Sequence, residues 1–312
     1  MKKVIIGIVH ILVTYFAIGQ EFNLPIQNQY IADNPYLISS AYAGIGDCWQ
    51  ARVGGFEQWV GVNEAPTTQY LAIDGRISDR SGIGAIVYND KNGFTSQRGF
   101  QASFAHHLTI SDWSSHYLSF GLSYKFTQFG IDSSEFNRAD PNNRGDININ
   151  NSNFDVGLLY RLGQFFISLN GVNLLTKEIV EFNLDEPSTI QNYYGYAGYT
   201  ITSIFKGIEF EPSVLYQNFV SDTRSSMDVN LKVRKRRKED YFWAGISVRG
   251  IIDQDFKPLS VSPMFGLKKK TFYIAYGYQI NSNEVLPAST GSHQLTLGID
   301  FGCKPSSCGC TY

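Results

Sequence analysis

Residues Tyr117–Phe129 read YLSFGLSYKFTQF, and apolar and polar side chains alternate along this stretch. One set is Leu118, Phe120, Leu122, Tyr124 and Phe126, and the other is Ser119, Gly121, Ser123, Lys125 and Thr127. Successive side chains of a β-strand point to opposite faces, so the stretch predicts a strand with one apolar and one polar face. In a transmembrane β-barrel the apolar face meets lipid and the polar face lines the lumen.

The same alternation restarts repeatedly between about residue 49 and Phe301. We predict strands over 49–58, 67–77, 81–90, 99–110, 117–129, 152–162, 165–172, 193–205, 207–217, 225–235, 240–251, 259–267, 271–279 and 291–301. These are about 14 strands, an even number as in single-chain bacterial barrels. A soluble β-sandwich is the alternative, with shorter strands and aromatic side chains that point mostly inward. The 22 Phe, 19 Tyr and 29 Gly favour an all-β, antiparallel transmembrane barrel.

The connections between the predicted strands are alternately short and long. The short ones lie near 78–80, 112–115, 163–164, 206, 235–239 and 268–270. The long ones cover about 59–66, 91–98, 130–151, 173–192, 218–224, 252–258 and 280–290. Outer-membrane barrels keep their periplasmic turns short and their external loops long. The pattern therefore predicts an outer-membrane location with both termini periplasmic.

Four regions are predicted along the chain. Residues 1–19 have a basic start, an apolar run and a small-residue end, as in a signal peptide cleaved before Gln20. The apolar run is shorter than the roughly 20 residues of a membrane-spanning helix, which disfavours an anchor. Residues 20–47 are a lead-in that lies in the lumen or along the periplasmic rim, 48–302 form the barrel, and 303–312 are a cysteine-containing periplasmic tail. The net charge of −2 gives no attraction to nucleic acid.

Several short motifs stand in a fixed order near the start of the chain. The positions are Asn34, Pro35, Ala41, Tyr42, Ala43, Gly44, Arg52, Gln58, Trp59, Gly61, Pro66 and Thr67. Further matches follow at Asn89-Asp90, Gly93-Phe94-Thr95 and residues 291–295. In combination and spacing, these motifs resemble the PorP/SprF family of outer-membrane proteins from Bacteroidota, over essentially the whole mature chain.

The resemblance implies a component associated with type IX secretion and gliding motility. Members of that family belong to the secretion and motor apparatus, or pair with a large secreted adhesin and help hold its C-terminal domain at the surface. The partners expected from it are outer-membrane lipid and a secreted adhesin or type IX secretion components. We expect no enzyme activity, no cofactor, no small-molecule substrate and no nucleic acid. The alternative function is a passive or substrate-selective porin.

Four cysteines remain after the predicted cleavage: Cys48, Cys303, Cys308 and Cys310. Disulfides are the default in the oxidising periplasm. The first and last strands of a closed barrel are neighbours, so a bridge from Cys48 to the tail would staple the seam. Three complete pairings are open. Zinc at the three tail cysteines is the alternative, but no nearby His completes a familiar ligand spacing.

Other candidate sites are weaker. Residues 140–151 resemble a calcium loop, but Arg144 and Asn151 occupy ligand positions, which favours a solvated polar loop. His106 and His107 lie on opposite faces of a strand without a nucleophile motif, so no catalytic or metal-binding residue is predicted.

Three further features have two readings each. Arg52 is expected to be a lumenal charge paired with a carboxylate or, alternatively, part of a ligand site, since a lipid-facing Arg costs about 2 to 4 kcal/mol. Trp59 is a membrane-interface anchor or, alternatively, part of an exposed recognition edge. The basic run 235–238 is a charged turn that meets acidic lipid headgroups or a periplasmic partner.

Overall fold

The computed structural model describes residues 22–111, 113–133, 146–176, 190–203, 207–221, 223–237, 239–253, 256–282 and 289–304. The predicted signal peptide lies outside these residues. So do most of the calcium-like loop and two of the tail cysteines, Cys308 and Cys310.

The described chain is almost entirely β-structure. The strands are β1 Trp49–Glu57, β2 Thr67–Ser78, β3 Ser81–Asn92, β4 Thr95–Ser111, β5 His116–Ile131, β6 Ile147–Leu162, β7 Phe165–Val172, β8 Asn192–Tyr199, β9 Ile201–Ser203, β10 Ile208–Phe219, β11 Ser225–Arg237, β12 Asp240–Ile251, β13 Lys257–Lys269, β14 Phe272–Asn281 and β15 Ser292–Phe301. Both β8 and β9 pair with β10, so together they form one wall strand interrupted at Thr200. Within the described residues the wall therefore has 14 strand positions, which confirms the prediction.

The strands close into an antiparallel ring. With β8 and β9 counted as one wall strand, each strand pairs with the next along the chain, and β1 also pairs with β15. Val53 in β1, for example, lies opposite Leu71 on one side and Leu297 on the other. Each position in the wall therefore has a neighbouring strand on both sides, as a lipid environment requires of a sheet that spans a membrane.

The predicted faces of the strands are confirmed. In β5, Phe120 and Leu122 are 46% and 52% exposed, whereas Ser119 and Lys125 are at most 1% exposed. Charged side chains on the polar faces of β11 and β15, such as Asp228 and Asp300, are buried. Exposed apolar side chains continue around the outside of the ring, including Val53, Leu71, Val87, Phe104, Val156, Leu169, Val214, Val229, Ile246, Phe265, Ile274 and Leu297. This outer surface is the one that meets lipid.

The lead-in fills the lumen. Residues 22–45, with the exception of a few half-exposed side chains, are buried inside the ring, and we call residues 22–47 the plug. The plug contains three single 3-10 turns, Gln29–Ile31, Pro35–Leu37 and Ser40–Tyr42. None of the helices in the described ranges has the length and apolar content needed to cross a membrane. Of the two places predicted for the lead-in, the structure shows the lumen.

The plug runs from one end of the barrel to the other. At the end with the long connections, Phe22 packs on Phe129 of β5 with 5.6 Å between ring centroids. At the end with the short turns, the Arg76 guanidinium donates to the Gly46 carbonyl at 2.9 Å. We call these the long-loop end and the short-turn end.

Both termini are predicted to be periplasmic, but the termini themselves lie outside the described residues, which begin and end at opposite ends of the barrel. The backbone N–H of Lys304 donates to the Asp47 carbonyl at 2.9 Å, which places the described C-terminus at the short-turn end. Phe22 lies at the opposite end. An even number of strands determines only that the first strand begins and the last strand ends on the same side. The lead-in before the first strand is long enough to cross the lumen.

The predicted long connection over 91–98 is wrong. Asn92 ends β3 and Thr95 begins β4, so the connection is a tight hairpin in which Gly93 has a φ of +60°. Both strands extend past the apolar band. Outside the hydrocarbon no lipid requires an apolar outward residue, so these strand ends carry no alternation to detect.

Candidate functional site in the barrel lumen

The small residues of the predicted signature pack the plug against glycines of the wall. Gly44 has a φ of +68°, and a Cβ there would lie 2.6 Å from the Cα of Gly82 in β3. A Cβ on Gly82 would lie 2.2 Å from the Ala43 carbonyl oxygen. Contacts this short exclude any side chain at either position.

Two further wall glycines continue this contact. A Cβ on Gly121 of β5 would lie 2.3 Å from the backbone nitrogen of Ala41, and one on Gly157 of β6 would lie 2.5 Å from the Ser39 hydroxyl. The plug backbone therefore lies directly on the inner wall over β3, β5 and β6. This contact is the physical reason for the Ala41–Gly44 part of the signature.

Polar groups fix the same part of the plug. The Gly44 N–H donates to the Asp74 carboxylate at 2.9 Å. His107 is fully buried, with Nε2 3.1 Å from the Ala43 carbonyl oxygen and Nδ1 2.8 Å from the Ser119 hydroxyl. Since a carbonyl can only accept, Nε2 carries the proton and Nδ1 accepts from Ser119. His107 thus anchors the plug to the wall.

A charged cluster holds the middle of the plug. The Asp33 carboxylate accepts from Arg234 at 2.6 Å and from the Tyr241 hydroxyl at 3.0 Å, and it also pairs with Lys232. The Lys232 ammonium donates to the Ile31 carbonyl at 2.8 Å as well. Two strands, β11 and β12, are therefore tied to one plug residue, and we call these residues the Asp33 cluster.

Burial raises the pKa of the Asp33 carboxyl, but Arg234 and Lys232 outweigh burial and hold that pKa well below its usual range. Asp33 is therefore charged over the whole physiological pH range. Burial also raises the pKa of the Tyr30 hydroxyl well above its usual value, so Tyr30 stays neutral and can donate.

Two further ion pairs hold the plug nearer the long-loop end. Arg249 pairs with Asp228 at 2.5 Å and donates to the Ile26 and Gln27 carbonyls at 3.3 and 3.1 Å. The Tyr30 hydroxyl donates to Asp228 at 3.1 Å. On the other side of the lumen, Lys125 pairs with Asp155 at 3.0 Å and donates to the Asn23 side chain at 3.1 Å.

The seam between β1 and β15 is joined inside the lumen. Arg52 is 2% exposed and its guanidinium lies 2.7 Å from Asp300, which also pairs with Lys268. The arrangement is the lumenal, carboxylate-paired one expected for Arg52. At the short-turn end of the seam, a disulfide joins Cys48 to Cys303.

The β1–β2 loop closes the seam at the long-loop end. The Gln58 N–H donates to the Pro66 carbonyl at 2.9 Å, and Val60 exchanges two backbone hydrogen bonds with Thr290 and Gly291, each 2.9 Å long. The Trp59 N–H donates to the Ser292 hydroxyl at 3.1 Å, and the residue is half-buried with a φ of +47°. Gly61, with a φ of +100°, is in the same loop, and Thr67 begins β2.

The predicted signature thus occupies two places. Asn34, Pro35 and Ala41–Gly44 lie in the plug, while Arg52, Gln58, Trp59, Gly61, Pro66 and Thr67 lie along the seam strand and its loop. Sequence reasoning missed the Asp33 cluster and the Arg249–Asp228 pair. The alternation along β11 and β12 places their charged residues on the inner face of the barrel. This was the available signal, because a charged residue inside a narrow lumen needs a partner.

A vestibule of about 760 Å³ opens at the short-turn end. The plug closes it from within at Asp33 and Tyr42, and Arg161, Gln164 and Phe166 line its opposite wall. Towards the long-loop end a much smaller cavity of about 20 Å³ lies beside Asn23 and Ser39. Among the described residues no group of three or more His, Cys, Asp or Glu side chains could hold a metal ion.

Comparison with known proteins gave one family match. The model described as "Type IX secretion system membrane protein PorP/SprF" matches residues 19–299. Among curated proteins, no significant match to the chain was found.

Solved structures similar to the chain are barrels at low identity. The outer-membrane protein Omp33 of Acinetobacter baumannii is 9% identical, with a TM-score of 0.45, and the match covers 82% of this chain and 100% of that one. The CymD monoaromatic hydrocarbon channel is 12% identical, with a TM-score of 0.44 and coverage of 91% and 94%. CdiB from Acinetobacter baumannii is 9% identical, with a TM-score of 0.42; the match covers 81% of this chain and spans 60% of the CdiB chain.

Proposed function

Because the chain belongs to the PorP/SprF family of type IX secretion system membrane proteins, we propose that it is a non-enzymatic docking protein of that system. In this role it helps to export and hold a secreted surface protein, or links the outer membrane to the secretion machinery. Family and barrel point to the bacterial outer membrane, with lipid around the wall.

The filled lumen is the observation that carries this proposal. A porin needs a water-filled channel, whereas here the plug is buried in the lumen and fixed by the Asp33 cluster and the Arg249–Asp228 pair. The vestibule at the short-turn end is lined on its inner side by plug residues such as Asp33 and Tyr42. With the lumen filled, the protein acts by binding a partner at one or both ends of the barrel.

The orientation belongs to the same proposal. The short-turn end faces the periplasm and the long-loop end faces outward, after removal of the signal peptide over residues 1–19. The vestibule then faces the secretion machinery, and the β1–β2 loop with Trp59 faces a secreted partner. The plug in this orientation reaches the external end at Phe22.

Site-specific photocrosslinking in cells tests the docking role. A photoreactive residue is placed at Val62 in the long-loop end, at Gln164 in the short-turn end, and at Phe120 on the lipid face as a matched control. We expect protein adducts from Val62 or Gln164 and none from Phe120. Adducts from Val62 with a large secreted protein assign the surface-holding role, and adducts from Gln164 with periplasmic components assign the link to the machinery.

Conductance separates docking from the porin alternative. We expect the purified barrel to be silent in planar lipid bilayers, because the plug occupies the lumen. Steady ion conductance by the native protein, together with no adduct from either end in cells, would establish the porin function and refute docking.

A further inference from the structure

The basic run at the end of β11 is divided into two sets by the alternation of the strand. Arg234 and Arg236 point into the lumen and pair with Glu209 at 3.1 and 2.6 Å. Lys235 and Arg237 occupy the alternate positions, so they point outward, and both are exposed. The run is therefore not one uniform charged turn.

The next short turn along the same rim repeats this division. Lys268 of β13 points inward and pairs with Asp300, whereas Lys269 points outward and Lys270 lies exposed in the turn. The Lys270 N–H donates to the Asp240 carboxylate at 2.8 Å, which ties this turn to the β11–β12 turn. Two adjacent turns thus form one surface, the basic rim, which consists of Lys235, Arg237, Lys269 and Lys270.

The inward and outward cations differ in their partners. The inward cations Arg234, Arg236 and Lys268 pair with Glu209 or Asp300. In the part of the chain that the structure describes, none of the four basic-rim side chains forms an ion pair with a carboxylate. The charge of the basic rim is therefore available to a ligand outside the barrel.

An apolar surface lies directly beside the basic rim on the outer face. Phe242, Leu267 and Phe272 are 57%, 47% and 67% exposed. Lys235 is the cross-strand partner of Phe242, and Lys269 is the partner of Phe272. Because these aromatic side chains belong to the lipid-facing surface, the basic rim lies at the level where hydrocarbon ends and headgroups begin.

We propose that the basic rim binds the phosphate groups of anionic phospholipids in the leaflet at the short-turn end. The acyl chains pack on Phe242, Leu267 and Phe272, and the cations contact the headgroups, as basic side chains at a membrane surface do. Apolar and cationic groups on adjacent positions fit a lipid better than a soluble acidic protein, which would leave the aromatic side chains uncovered. The site goes beyond the docking function and depends on the proposed orientation only for which leaflet it contacts.

Lipid retention measured by native mass spectrometry tests this inference. The full mature protein is placed in nanodiscs of phosphatidylethanolamine and phosphatidylglycerol and then released, and the retained lipids are counted. The test variant is Arg237→Gln/Lys269→Gln, which removes one cation from each turn. The control variant is Lys91→Gln/Lys257→Gln, which removes two exposed cations at the long-loop end. Heat-modifiable gel mobility establishes that each variant is folded.

We expect native protein to retain phosphatidylglycerol in preference to phosphatidylethanolamine. In the test variant the ratio of the two retained lipids falls roughly tenfold. The control variant keeps the native ratio. Equal retention of the two lipids by native protein, or equal loss in both variants, would overturn the proposal. It would also be overturned if an acidic polyglutamate peptide bound the basic rim in nanodiscs while lipid composition had no effect, since that result assigns the surface to a protein partner.

Discussion

The substitution Asp33→Asn removes a carboxylate that ties the plug to both β11 and β12. Arg234 keeps Glu209 at 3.1 Å, but Lys232, whose side chain is only 6% exposed, loses its carboxylate partner. Removing one partner of a buried pair costs about 3 to 5 kcal/mol. Because Lys232 still donates a hydrogen bond to the Ile31 carbonyl, we expect the destabilisation to lie near the lower end of this range. About 3 kcal/mol corresponds to a plug that opens more than a hundredfold more often.

Hydrogen exchange in detergent measures this opening. The amides of Asn34, Leu37 and Ile38 donate within the 3-10 turns of the plug, so they report its local unfolding. We expect their exchange to accelerate about a hundredfold in the Asp33→Asn variant, while strand amides of the wall stay protected.

Two variants make the measurement specific. Glu64→Gln breaks the exposed Lys91–Glu64 pair, whose side chains are 55% and 51% exposed, and leaves plug exchange unchanged. Adding Lys232→Met to Asp33→Asn removes the uncompensated charge and restores most of the protection. Unchanged exchange in the Asp33→Asn variant would refute the reasoning, because apolar packing and the Arg249–Asp228 pair would then hold the plug alone.

Three more results are expected. Because the pKa of Asp33 is lowered in the folded protein, its charge stabilises the plug above the unfolded pKa of about 3.9, and this stabilisation is lost as the pH falls below that value. Hydrogen exchange of the plug, corrected for the intrinsic rate, therefore increases below that pH in native protein but not in Asp33→Asn. An increase shared by both proteins would show that other groups cause it. Cys48→Ser removes a disulfide that links residues 255 positions apart and contributes about 5 kcal/mol at most to the free energy of unfolding. The midpoint of urea unfolding, followed by gel mobility, is therefore expected at a lower urea concentration. Alkylation of Cys48 in unreduced native protein would exclude the disulfide to Cys303. Gly121→Val places a side chain against the plug and is expected to produce ion conductance, whereas Gly55→Val, with nothing within 4 Å, stays silent; equal conductance of the two would contradict the close contact.

Strand positions could be predicted wherever lipid imposes a rule on alternate residues. The prediction for β7, 165–172, agrees with the observed Phe165–Val172. The start of β6 was predicted at 152, whereas it begins at Ile147. In this first part of the strand Asn148 and Asn150 point outward and Ile149 is buried in the lumen beside Phe22, so the apolar face is the reverse of the lipid-facing pattern. Asn148 and Asn150 lie beyond the apolar band, where no lipid requires an apolar outward residue.

The plug could be delimited from the sequence but not placed. Its 3-10 turns are three residues each, too short to produce a helical period, so the lumen and the rim were equally compatible with residues 20–47. The role of Gly44 could not be deduced either, since the reason for a glycine there is the backbone of Gly82, which the fold brings beside it. Charge partners such as Asp33 and Arg234 have the same origin, because they are 201 residues apart in the chain.

The course of the plug along the whole lumen constrains the order in which the molecule is assembled. The chain between Phe22 and Asp47 is continuous with β1, and β1 and β15 meet at the seam that Cys48 and Cys303 join. Threading the amino-terminal segment through a barrel that is already closed would leave the wall cations Lys232 and Arg249 without their plug partners at each intermediate stage. Wrapping the strands around a plug that is already in position avoids these states, so we expect the pairing of β1 with β15 to complete the closure.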